Sequence, residues 1–367
     1  MVSDVAVIEQ PKPDEPFDEP KRPQREEAQR ATTEITEVGP GVLRLQLPIA
    51  MPGLGHVNCY AIEDEHGFAL VDPGMPGPQA WKAFEERLAL AGVPMRRIHT
   101  VVVTHSHIDH FGAAGRVRKK TGATVVTHRS FRTWWDTTDI DDDPDALEHP
   151  PSMPKRPWGQ PTPWGGKHPA PPRRVQLKYK FLKPLMRRWF VTPSPSRRLE
   201  DADVIRLGRR EWVAVHTPGH TADHLCLFDP ANGILLSGDH ILPTITPHIS
   251  GLDAGPDPLT AFFASLDRMR ELDGVSDVLP AHGHPFHDVV GRAEDIRRHH
   301  EQRLSTLRGA AVELGEASVE ELARRLFKPR SWGSMADSET YAHLEHLRLA
   351  GEAARREDDG RLLYRMV

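Results

Sequence analysis

Six residues, His105-Ser106-His107-Ile108-Asp109-His110, place four metal-binding side chains directly behind an apolar run from Ile98 to Thr104. The run reads as a buried β-strand, and the residues from Asp109 onward read as the start of a helix. A chain built this way must fold so that a sheet edge presents imidazoles and carboxylates together. Only a rigid strand end holds such groups in fixed geometry while leaving room for a substrate. Three His and one Asp within six residues exceed what an ordinary polar turn carries.

Four more segments repeat the pattern. Asp72 lies in Leu70-Val71-Asp72-Pro73-Gly74, and His220 in Thr217-Pro218-Gly219-His220-Thr221. Asp239 ends Leu235-Leu236-Ser237-Gly238-Asp239, and His282 sits in Leu279-Pro280-Ala281-His282-Gly283. Each follows an apolar run and meets a turn signal, so each is expected at a strand end on one edge. The intervening chain reads as two series of strands. The first covers 42–47, 58–63, 68–71 and 123–127, with helices at 81–91 and 111–120. The second starts near 204 and covers 212–216, 225–228, 234–236 and 275–279, with a helix at 259–272. Asp229-Pro230-Ala231-Asn232-Gly233 is a hairpin turn within it. Two such series suit two packed sheets with helices outside.

In this order, from about residue 40 to 290, the five motifs resemble those of the metallo-β-lactamase superfamily. The resemblance implies an α+β fold, a four-layer αββα sandwich over 36–290. It also implies a dinuclear site in which His105, His107 and His220 bind the first metal and Asp109, His110 and His282 the second. Asp239 would bridge the two, and Asp72 would orient ligands from outside, so the catalytic roles fall on Asp109, Asp239 and Asp72. Imidazoles with carboxylates suit two Zn²⁺ per chain, and Fe or Mn tolerate the same donors. The implied reaction is hydrolysis of a thioester or ester, acyl-CoA-like or lactone-like, by attack of a metal-bridging hydroxide. The alternative is a metal-dependent endoribonuclease or phosphodiesterase, because two metals serve carbonyl and phosphoryl chemistry alike. A bridging Asp is similar to the thioesterase, lactonase and nuclease branches rather than to the antibiotic-degrading enzymes.

The remaining segments carry weaker signals. His224, His240, His248 and His284 lie near the ligands in sequence and are expected to be hydrogen-bonded neighbours; His299 and His300, in a charged run, are expected in solvent. Residues 1–35 are rich in Pro and charge and poor in aromatics, the composition of a disordered tail. No secretory signal is visible and no apolar run is long enough for stable membrane insertion, so the expected location is cytoplasmic. Cys59 and Cys226, each in a strand-like run, are expected as buried free thiols. An insertion at 130–198 is Pro-rich, and its part from His149 to Arg198 holds twelve Lys and Arg and no Asp or Glu, with aromatics between. A lid over the site is the favoured functional reading, for an anionic small-molecule substrate or, alternatively, RNA. Residues 291–367 read as three helices and a hairpin and resemble a small winged-helix-like domain. From Glu301 to Val367, twelve acidic side chains meet eleven basic ones. Such a balance leaves no positive field for phosphates, so a structural or homodimer-forming role is expected there.

Overall fold

The computed structural model describes residues 25–133, 159, 161–167, 170–177, 180–181, 189–252 and 255–367. The first sheet runs in the order β1 (Ile35–Gly39), β2 (Val42–Met51), β3 (Leu54–Glu63), β4 (Phe68–Val71), β5 (Ile98–Val102), β6 (Thr124–His128) and β7 (Arg197–Leu199). The second contains β8 (Val204–Leu207), β9 (Arg210–His216), β10 (Leu225–Asp229), β11 (Ile234–Gly238) and β12 (Asp277–Pro280), in the order β12-β11-β10-β9-β8. Pairing is antiparallel from β1 to β4 and parallel from β4 to β7. In the second sheet only β11 and β12 run parallel.

Period-two alternation sorts the side chains into layers. Ala69, Val71 and Val102 face Leu225, Leu227, Ile234 and Leu236 across the space between the sheets. Phe68, Leu70 and Val101 turn the other way, against Trp81, Phe84 and Leu88 of α1 (Pro78–Leu90). From the second sheet, Cys226 and Leu235 turn outward to Phe262 and Leu266 of α4 (Pro258–Glu271). The result is helix, sheet, sheet, helix, the expected αββα order. Both cysteines are buried and free.

The helix expected over 111–120 is divided into α2 (Ile108–Phe111) and α3 (Ala114–Thr121). The cause is local: the Ala113 N–H donates to Gly74 O at 3.0 Å rather than to a helical carbonyl. Residues 25–35, expected within a disordered tail, are instead packed on the body. Glu27 is fully buried, its carboxylate accepting from the N–H groups of Thr244 (2.8 Å) and Ile245 (3.1 Å) and from the Thr244 hydroxyl. A buried carboxylate is tolerable only with such donors, and their distance in sequence concealed them. Residues 1–24 lie outside the described residues.

Both described ends of the insertion are anchored. Trp164 is buried, lies against the Tyr341 ring at a tilt with centroids 5.5 Å apart, and accepts the Leu362 N–H on its carbonyl at 3.0 Å. The Arg116 guanidinium lies between the Trp81 and Trp189 rings, 4.6 and 4.0 Å from their centroids. The helix expected over 177–190 falls largely outside the described residues.

Beyond β12 come α5 (Val289–Leu314), β13 (Ala317–Ser318), α6 (Val319–Leu326), α7 (Ser334–Leu349), β14 (Ala353–Asp358) and β15 (Arg361–Met366). The last three strands form a sheet in the order β13-β15-β14. Ser318 and Glu321 close a reciprocal capping box at the start of α6. One apolar cluster runs without a break from β10 and β11 through α4 and α5 to Val319, Leu344 and Tyr364. No helix among the described residues is long and apolar enough to cross a membrane.

Candidate metal centre

Asp72 follows β4, the His-rich turn follows β5, His220 follows β9, Asp239 follows β11 and His282 follows β12. These are the carboxyl ends of strands from both sheets, and they meet at one edge. The edge gathers all seven expected ligands. His105 Nε2 lies 2.9 Å from His107 Nδ1, which lies 3.0 Å from His220 Nε2. His282 Nε2 and His110 Nε2 lie 3.4 and 3.5 Å from Asp109 Oδ2. Asp239 stands between the groups: Oδ1 is 3.4 Å from His282 Nε2, while Oδ2 is 3.5 Å from His220 Nε2 and 3.6 Å from His110 Nε2.

The 3.4–3.6 Å separations about Asp109 and Asp239 are informative, whereas the 2.9 and 3.0 Å contacts of His107 with His105 and His220 are of hydrogen-bond length. Ligand atoms about 2.0–2.1 Å from a tetrahedral cation lie roughly 3.3–3.4 Å from each other. Hydrogen bonds would be shorter. His110 Nε2, His282 Nε2 and Asp239 Oδ1 are buried without a hydrogen-bond partner, and buried polar atoms are rarely left so. The residues present therefore fit divalent metal binding.

The far side of each ring is held. His110 Nδ1 donates to Asp72 Oδ2 at 2.8 Å, and Asp72 also accepts from the Thr104 N–H (2.9 Å) and hydroxyl (2.8 Å). Asp72 adopts φ +54°, a left-handed conformation uncommon outside glycine, and these three bonds hold it there. His220 Nδ1 donates to His248 O and His282 Nδ1 to His56 O, both at 2.6 Å. Each bond fixes the tautomer that leaves Nε2 free to ligate. Gly219, at φ +134°, lets the His220 loop lie against α4: a Cβ there would sit 2.5 Å from Phe262 Cα.

Electrostatics divide the histidines. Burial, with neighbouring imidazoles, holds His105 well below the usual range and takes His107 down to about 3, so both stay neutral. For His282, burial acts downward but Asp239 and Asp109 outweigh it, pushing the ring up to about 10. His110 is likewise raised, by Asp109, Asp239 and Asp72 against burial. The carboxyls of Asp109 and Asp239 are held low by these same rings, although burial opposes it.

Of two further residues near the site, His224 is the hydrogen-bonded neighbour expected, and Asp223 gave no sequence signal. His224 accepts the Asp239 N–H on Nε2 at 2.9 Å, and its Nδ1 meets the Thr217 hydroxyl at 2.7 Å. Asp223 is buried and accepts from the Ser106 hydroxyl at 2.9 Å, tying down the residue between His105 and His107. Burial pushes Asp223 up to about 6. Ionising it therefore costs stability above pH 6, and the cost vanishes below the unfolded value of about 4. Asp223→Asn is expected to stabilise the metal-free chain at pH 8 by up to roughly 3 kcal/mol and to have no effect at pH 4. Urea unfolding across that range measures it; a difference independent of pH would refute the assignment. His300, expected in solvent, is fully buried against Phe262 with its Nδ1 3.1 Å from His343 Nε2.

A family model described as the metallo-beta-lactamase superfamily matches residues 52–284. The chain belongs to that superfamily. Its relatives include the "Probable metallo-hydrolase YqjP" of Bacillus subtilis, 26% identical over 88% of this chain and 96% of that one. A solved "Beta-lactamase domain protein from Burkholderia ambifaria" superposes with TM-score 0.73 at 27% identity, covering 92% of this chain and 96% of that one. A shorter match, 36% identical over 105 residues, links 27% of this chain to 36% of the "Acyl-coenzyme A thioesterase MBLAC2" of Gallus gallus. This metallo-beta-lactamase superfamily member is a metal-dependent hydrolase.

Proposed function

We propose that the protein hydrolyses a thioester or ester of an anionic small molecule, acyl-CoA-like in character, with two Zn²⁺ per chain. One observation carries the two-metal part: the Asp239 carboxylate lies between the two groups, Oδ1 near His282 and Oδ2 near both His220 and His110. His105, His107 and His220 would hold one ion, Asp109, His110 and His282 the other, and Asp239 both. Once bound, such a pair supplies a water acidified toward neutral pH and positive charge beside the carbonyl oxygen.

The chain's own groups do the rest. Asp109, kept ionised, is placed to accept a hydrogen bond from the attacking water and orient it. Asp72 prevents His110 from turning, and the neutral His105 and His107 offer lone pairs without first losing a proton. The likeness to an acyl-coenzyme A thioesterase supports the substrate class, as does the insertion's excess of Lys and Arg.

The test is a screen of zinc-loaded protein against acyl-CoA thioesters, lactones and RNA, with KM followed over a salt series. Thioester turnover with a shallow salt dependence is expected. Single-stranded RNA would instead show a log–log slope of about −0.7 per phosphate contacted; cleavage of RNA alone would replace this reading with a nuclease.

A further inference from the structure

His220 is held from the C-terminal side of the molecule. The His248 carbonyl that receives its Nδ1 proton belongs to residues 239–251, which connect β11 toward α4 and lie against α7. There the His248 ring presents Nδ1 to Glu339 Oε2 at 3.1 Å. A carboxylate only accepts, so this nitrogen carries the proton. Ser338, one residue earlier, receives the Gly251 N–H on Oγ at 3.2 Å and meets Ser250 Oγ at 3.2 Å. Glu339 is buried, and its other oxygen, Oε1, pairs with the Arg303 guanidinium from α5.

Together with His300 and His343, Glu339 forms a third group of buried donors, all within 4.8 Å of one another. The hydrogen bonds argue against a metal there. Both Glu339 oxygens are in use, one of them by a cation. His343 Nδ1 donates to Glu339 O at 2.7 Å, which leaves its Nε2 to accept from His300 Nδ1 at 3.1 Å. The group is a hydrogen-bonded hub, and its outward connection leads through His248 to His220.

We propose that Glu339 is a positioning residue of the metal centre, fixing the His220 imidazole through the His248 main chain. The inference rests on the reading of His220 as a metal ligand. An imidazole whose Nδ1–H partner is rigid keeps one tautomer and one rotation; freeing that partner lets the ring swing and weakens coordination, as loss of outer partners does elsewhere by roughly 10- to 100-fold. Because Glu339 acts at two removes, the lower end applies.

The experiment measures binding, not turnover. Metal-free protein is titrated with Co²⁺ in competition with a chelator, following the absorption of each bound ion; His220→Ala shows which spectrum belongs to the His105/His107/His220 set. Glu339→Gln is expected to weaken that ion about 10-fold and the other less than about 2-fold, and to lower the melting temperature of the metal-free chain because it leaves Arg303 without its carboxylate. His248→Phe, which keeps the carbonyl but loses the tie to Glu339, should give the same loss, and the double variant no more than either. Arg303→Met with Glu339→Leu removes both partners of the buried ion pair, avoiding an unpaired charge, and should again weaken only that ion. Unchanged affinities, additive losses, or equal weakening of both ions would overturn the proposal. A third metal equivalent that disappears in Glu339→Gln would overturn it in favour of a metal site at the hub. Wild-type protein that takes up no metal would overturn the metal reading and this inference together; wild-type binding of two ions that Glu339→Gln leaves unaltered overturns this inference alone.

Discussion

Replacing Asp239 with alanine is expected to abolish turnover and to weaken both metals by more than about 100-fold, the upper figure for losing a residue that merely supports a ligand. Its carboxylate lies within 3.6 Å of histidines from both groups, so on the proposed reading one deletion would remove a ligand from each ion and leave two cations without the charge between them. His224→Ala is the matched control. It removes the acceptor of the Asp239 N–H but no ligand atom, so two metals should still bind, each less tightly. Metal content by elemental analysis, with kcat on the substrate found by screening, separates the two. Equal metal loss in both variants would show that the ligands are wrongly assigned.

Chelation is the second large effect. Without metal, the edge gathers five buried and one half-buried histidine and carboxylate group about Asp239, and three of its polar atoms lack any partner. Hydrolysis is expected to stop completely and to return on addition of two metal equivalents per chain. The fold should loosen as well: a ligand present at 100 times its dissociation constant stabilises the native state by about 2.7 kcal/mol, and two ions do so twice. Thermal melting with and without chelator reads this directly. Full activity in a metal-free preparation would remove the basis of the whole functional reading.

The candidate ligands were legible because His220, Asp239 and His282 stand where an apolar run meets a Gly or Pro turn, and the other four crowd into six residues directly behind an apolar run. Alternation along 68–71 and 234–236 likewise fixes which face each strand buries, and hence the layers. What the sequence hid is what depends on distant partners. Asp223 answers to Ser106, Glu27 to Thr244 and Glu339 to His248, and no local pattern marks a carboxylate whose donor lies 117, 217 or 91 residues away. His300 is a different case. The buried positions of α5 include Val289, Ala293, Ile296, His300, Leu304, Leu307 and Ala311, with Ala310 beside the last, a stripe at intervals of three and four that passes through His300. Its charged neighbours suggested solvent; its place in the period indicated the core.

The clamp formed by Glu26 and Glu27 carries a consequence for the order of events in the cell. It joins the first packed residues of the chain to Thr244 and to the His284 N–H, 217 and 258 positions later. At 5–20 residues per second, on the order of 10–40 s of translation separates Glu27 from Thr244. The His105–His110 turn emerges early in that interval, without His220, Asp239 or His282 beside it. A metal met then has only neighbouring side chains to bind, and those side chains are not yet held. The candidate metal centre can therefore be complete only after His282 has been made, when Glu26 and Glu27 close on His284 and Thr244.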